Sequence, residues 1–129
     1  MGVLDLKGAP GAGTALYALA DLDDPQTRSF EFGEGAARFA MFIVRYGTEV
    51  KGYLNRCPHA GHPLDFPEHQ ILTPDKSLLR CASHGAQFEK DSGSCVAGPC
   101  EGRALVPVPV HVKDGMICVG EAAGDENGA

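Results

Sequence analysis

Two short cysteine–histidine pairs constrain this chain more than any other feature. Cys57-Pro58-His59 comes first, and Cys81-Ala82-Ser83-His84 follows after 21 intervening residues. Two thiols and two imidazoles on separate loops can hold a metal ion or a small cluster. The scaffold therefore has to present both loops at one place.

The rest of the sequence points to a β scaffold. With 129 residues there is enough chain for one domain with one core. The 17 glycines and 9 prolines, with no tryptophan, favour many turns joining short strands over long helices. Thr14 to Leu22 reads as a first strand, with a helix as its competitor because ALYALADL is rich in helix formers. Asp23-Asp24-Pro25 is a turn signal, and Thr27 to Phe32 a short strand. Arg38 to Tyr46 is the most hydrophobic run and reads as a buried strand. Gly47-Thr48 then turns it into a returning strand, Val50 to Asn55.

Beyond the first ligand loop, Leu78 to Arg80 forms a short strand that delivers Cys81, and Gln87 to Glu89 another. Leu105 to Val112 alternates valine with proline; each proline lacks a ladder donor, so this segment is an edge. Asp114-Gly115 is a two-residue hairpin signal leading into a last strand, Met116 to Val119. The expected architecture is an all-β domain over residues 14–119, with the cluster-binding part at about 55–100. A loose N-terminal arm (1–13) and an acidic disordered tail (120–129) flank it.

A formal charge of -6 argues against a nucleic-acid binder, which needs clustered Lys and Arg to neutralise phosphates. No run reaches the roughly 18 apolar residues of a membrane helix, and no basic region followed by an apolar one opens the chain. A cytoplasmic protein away from membranes is expected. Five cysteines, an odd number, favour metal ligands or free thiols over a disulfide framework.

The order of the ligands decides between two metal chemistries. Zinc fingers pair Cys with Cys and His with His along the chain. Here each loop supplies one of each, as C-x-H and C-x2-H, so each loop can reach both metals of a two-iron cluster. A Rieske-type [2Fe-2S] centre needs that: two cysteines on one iron and two histidines on the other.

Cys57-Pro58-His59-Ala60-Gly61 and Cys81-Ala82-Ser83-His84-Gly85-Ala86-Gln87-Phe88 resemble the Rieske iron–sulfur family, and the likeness continues through Gly93, Gly98-Pro99, Leu105 and Pro107-Val108. It implies a Rieske-like antiparallel β-sandwich or barrel, with a small cluster-binding subdomain carrying both ligand loops. It further implies one [2Fe-2S] cluster, with Cys57 and Cys81 on the inner iron and His59 and His84 on the outer. Pro58, Gly85 and Pro99 shape the loops. Outer-iron imidazoles with a free N–H imply a midpoint that falls with rising pH in alkaline solution.

Within the family the likeness is to soluble Rieske ferredoxins that feed oxygenases. The extra loop cysteines of respiratory Rieske proteins are absent, since His62 and Ser83 stand at those positions. Ala86 and Phe88 replace the hydroxyl donors to the cluster. Fewer hydrogen bonds place the midpoint at the low end of the Rieske range, about -150 to 0 mV. The 21-residue spacing exceeds the usual one in these ferredoxins, with the surplus placed in Asp65 to Pro74.

The function implied is a one-electron carrier between a reductase and an oxygenase-type acceptor. The alternative is an accessory or regulatory subunit similar to the small subunit of nitrite reductase. The chain has no room for the separate iron domain of an oxygenase, so it is not expected to be an enzyme itself. His62, His69 and His111 read as surface residues, Cys118 as core, and Cys95 and Cys100 as small buried thiols ahead of a redox disulfide. Asp65, Glu68, Asp75, Glu89 and Asp91 form either an acidic docking rim for a basic redox partner or a solvated surface.

Overall fold

The structure is a computed structural model that describes residues 8–33, 35–56, 71–73, 75, 77–81, 86–98 and 102–120. Among these residues the strands are, in chain order, β1 (Ala15–Ala18), β2 (Gln26–Phe32), β3 (Phe39–Tyr46), β4 (Glu49–Leu54) and β5 (Leu79–Arg80), then β6 (Gln87–Phe88), β7 (Cys95–Ala97), β8 (Pro107–Val108), β9 (Val110–Lys113) and β10 (Met116–Val119). They make three antiparallel sheets, in the orders β1-β10-β9, β2-β3-β4-β8 and β5-β6-β7. No helix among the described residues is long and apolar enough to cross a membrane.

Strand β3 explains why the hydrophobic run is continuous rather than alternating. Side chains alternate across a strand, so a run apolar at every position suits a strand covered on both faces. Met41, Phe42, Ile43 and Val44 are all fully buried. Phe42 and Val44 pack with Tyr53, Leu79, Cys81 and Phe88. Phe39, Met41 and Ile43 face the other way, onto Leu22, Val108 and Ile117. Two cores thus share one strand, and the first of them supports the ligand end of the molecule.

Turn chemistry sets the remaining order. Gly47-Thr48 closes the β3–β4 hairpin, whose last pair is Tyr46 with Glu49. Asp114 and Gly115 both have positive φ, 54° and 80°, which is the backbone a tight β9–β10 hairpin requires. Strand β8 lies at an edge, as Pro107 demands, and reaches β4 only because position 52 is glycine. A Cβ there would stand 2.7 Å from Val108 O.

Three expectations need correction. The first strand ends at Ala18, and Leu19–Asp21 form a single 3-10 turn in place of either continuous alternative. His111 is not a bare surface residue: its Nδ1 lies 2.7 Å from Gly120 O, to which it donates. Cys95 is buried as expected but is not a thiol, because it is disulfide-bonded. Cys81 and Cys118 are both buried, as expected, whereas Cys100 lies outside the described residues. Of the expected arm, residues 1–7 are also outside, and Gly13 N–H donates to Val119 O at 2.7 Å. The tail lies outside beyond Gly120.

Candidate metal centre

The small β5-β6-β7 sheet builds the end of the molecule where Cys81 lies. Leu79 and Phe88 face each other across β5 and β6, and both are fully buried. Leu72 bridges to Leu79, and Arg80 N–H donates to Ile71 O at 2.5 Å. The chain on either side of β5 is therefore pinned before it reaches Cys81. Cys81 N–H donates to Ala86 O at 2.8 Å, which closes the 81–86 loop at its base. The Cys81 side chain is fully buried and outside any disulfide, as a thiolate ligand must be.

A turn packs against Ala86. Gly98 has φ +94°, and a Cβ added there would lie 2.8 Å from Ala86 Cα and 3.2 Å from its N. Its approach is set by β7, where Cys95 pairs with Phe88 and donates its N–H to Arg103 O at 2.9 Å. Ala86 and Phe88 have no solvent exposure. Neither side chain can donate a hydrogen bond, so this wall excludes water without polar contacts of its own.

The large sheet braces the same end. Tyr53, on β4, donates its hydroxyl to Lys90 O at 2.8 Å and is 2 % exposed. Burial pushes this phenol well above its ordinary range, with Tyr46 and Asp91 adding to the effect. Tyr46 is raised too, chiefly by burial, with Asp91 and Glu49 adding to it. The Lys90 ammonium sits 5.3 Å from the Tyr46 ring centroid.

Two of the five acidic residues that flank the ligand loops organise turns. Asp75 accepts from Thr73 Oγ1 at 2.7 Å, Ser77 Oγ at 2.7 Å and Ser77 N at 3.0 Å. These bonds, the Thr73 hydroxyl first, hold its carboxyl at a pKa of about 2. Glu89 accepts from Ser92 Oγ at 3.0 Å. Asp65 and Glu68 lie outside the described residues, as do His62 and His69.

Of the four expected ligands only Cys81 is described; Cys57, His59 and His84 lie outside. No group of three potential ligands occurs among the described residues. What is described suits a thiolate-held cluster. Buried Cys81 is tied to Ala86, an apolar wall and a close-packed turn lie against Ala86, and Arg80 Nε is buried with no acceptor among the described residues. Sequence reasoning had no place for Arg80; its one visible signal is a cation directly before the second ligand cysteine.

Comparisons extend this picture to the whole chain. Residues 14–113 match the family model of the Rieske [2Fe-2S] domain. The ferredoxin of carbazole 1,9a-dioxygenase from Nocardioides aromaticivorans IC177 superposes with a TM-score of 0.67 at 21% identity, over 87% of this chain and 100% of that one. The Sphingomonas yanoikuyae B1 ferredoxin gives 0.62 at 22%, over 85% and 99%. The terminal oxygenase of the Nocardioides aromaticivorans IC177 carbazole system gives 0.68 at 21%, over 89% of this chain but 31% of that one. At these identities the matches establish the fold. No curated protein matches the chain.

Proposed function

Because the chain belongs to the Rieske [2Fe-2S] domain family, we propose that it is a one-electron carrier working between a reductase and an oxygenase-type acceptor. The observation that carries this reading is the match of residues 14–113 to the Rieske [2Fe-2S] domain. The fold shared with the ferredoxin of carbazole 1,9a-dioxygenase over that protein's whole length supports it.

A Rieske domain carries one [2Fe-2S] cluster, which takes up and gives back a single electron. We assign Cys57 and Cys81 to one iron and His59 and His84 to the other, on the motif spacing. The described residues contribute the enclosure. The 81–86 loop closed by Cys81 N–H and Ala86 O holds the thiolate, while Ala86 and Phe88 keep water from its inner side. Lacking hydroxyl donors at those two positions, the site stabilises a reduced cluster less, in keeping with a midpoint of about -150 to 0 mV. Cys118 is a free thiol, which suits the reducing cytoplasm we assign to the protein.

Purified protein should be red-brown, with two irons and two sulfides per cluster. A colourless zinc protein, or a midpoint above roughly +200 mV, would sink the assignment. Stopped-flow oxidation by a cognate oxygenase tests the partner class, and electrons that reach no oxygenase from the reduced protein would remove it.

A further inference from the structure

We infer that Cys95 is bridged to Cys100, and that this bond is a thiol-responsive clasp on the Cys81–Ala86 connection. The pairing rests on the cluster assignment above. Cys95 is disulfide-bonded, and its partner has to be one of the chain's other cysteines. Cys118 is a free thiol, while Cys57 and Cys81 are assigned to the cluster. Cys100 remains. The fold supports the same pair independently. Ser94 bridges Ala104, and Cys95 N–H donates to Arg103 O at 2.9 Å, so the chain leaving Cys95 is back beside it by Arg103. Cys100 belongs to this short excursion, and chain length alone keeps it within reach.

The same excursion carries the turn that touches Ala86. A Cβ on Gly98 would stand 2.8 Å from Ala86 Cα, and Cys81 N–H donates to Ala86 O at 2.8 Å. Cys95 itself pairs with Phe88. The bond therefore joins the two ends of a turn whose middle rests on Ala86. Disulfides in a reducing cytoplasm are usually transient and catalytic or redox-sensing. This one closes a ring of few residues, which removes little chain entropy, so it resists reduction weakly. The reduced state is also provided for. Cys95 Sγ lies 3.3 Å from Ala97 O, an acceptor that only a thiol S–H can use.

Opening the clasp consumes two reductant thiols. The first, as a thiolate, bonds to one sulfur of the bridge; the S–S bond breaks and the other cysteine leaves as a thiolate that takes a proton. The second thiol then attacks the reductant sulfur of the mixed disulfide and releases the remaining cysteine. Two electrons and two protons pass to the protein, and the reductant becomes a disulfide. The turn loses one of its anchors and loosens its hold on Ala86 and Cys81.

The test uses full-length, cluster-loaded protein. Alkylation and peptide mapping should show a Cys95–Cys100 bond without reductant and two thiols under excess reduced glutathione. Hydrogen exchange read by mass spectrometry should then rise about tenfold in the peptide from Leu79 to Phe88, which contains the Cys81 amide. The β9–β10 hairpin should stay unchanged. Cys100→Ser should exchange fast there without reductant and show no further response to dithiothreitol; if that variant does not fold, the reductant arm on wild type decides.

Exchange near Cys81 that ignores the opening of the bond overturns the clasp. So does a bond that stays closed under excess reduced glutathione, or a Cys95 that maps as a thiol before any reductant is added. A bond from Cys95 to Cys57 or Cys81, in protein without the absorption of a Rieske cluster, would instead overturn the functional reading itself.

Discussion

Gly98 and Ala86 are in backbone contact: a Cβ on Gly98 would meet Ala86 Cα at 2.8 Å. The contact seats the turn after β7 on the base of the loop that starts at Cys81. Gly98→Ala should cost about 1–3 kcal/mol for the positive φ alone, and more for the collision. Gly102 is the control, since it has φ +88° with open space around it. Denaturant melts of Gly98→Ala and Gly102→Ala, read beside the rate of cluster bleaching by a chelator, separate strain from contact. Faster bleaching should appear only in the Gly98 variant.

The Cys95 bridge should contribute about 2–4 kcal/mol, the usual range for a disulfide. Cys95→Ser should lose that amount, and wild type should lose a similar amount under a dithiol reductant. The variant's unfolding midpoint should then be indifferent to the reductant. A wild-type midpoint that ignores the reductant would show that no bridge contributes to stability.

Tyr53 ties β4 to the ligand end through its bond to Lys90 O. Tyr53→Phe should lose about 0.5–1.5 kcal/mol at neutral pH, the net worth of one such hydrogen bond. The phenol is raised in the folded state, so the fold keeps the proton after the unfolded chain has lost it. Its stabilisation is therefore complete below about pH 10 and declines above it. Melts from pH 8 to 11 should show a steeper alkaline decline in wild type than in the phenylalanine variant.

Asp75 acts at the other extreme. Its folded pKa of about 2 lies below the ordinary carboxylate value, so the folded state holds the charged form more firmly. The resulting stability is present above about pH 4 and is lost as pH falls through about 2. Asp75→Asn keeps an acceptor for Thr73 but removes the charge, and should flatten that part of the acid limb. Equal slopes in wild type and variant between pH 4 and 2 would contradict the assignment.

Local chemistry was the legible part of this molecule. The β3 run, the Gly47-Thr48 and Asp114-Gly115 turns and the edge prolines each carry their instruction within a few residues, and each lies where the pattern implies. The ligand spacing pointed to the family in the same way. Strand β7 did not show itself, because Cys95-Val96-Ala97 is too short for a period and is held by pairing with β6 and by Arg103 O. His111 finds Gly120 only because β9 and β10 fold back on one another. Spacing cannot tell a thiol from half of a bridge, and Cys95 takes the less favoured of its two readings. The solitary Nε of Arg80 is likewise a product of burial, and burial of a charged side chain is decided by chain brought in from elsewhere.

The valine–proline segment has a consequence for how the protein keeps company with itself. Leu54 N–H donates to Val106 O, and Gly52 pairs with Val108, so both valines direct their backbone groups towards β4. Pro107 alternates with them and turns the other way, where a neighbouring molecule would look for an amide proton that it does not have. Pro109 is already engaged, accepting from Gly120 N–H at 2.8 Å. A second copy cannot extend this sheet by adding a strand at β8, although Val106 is 48% exposed there and would otherwise invite it. The alternation that first marks the segment as an edge also seals it against aggregation.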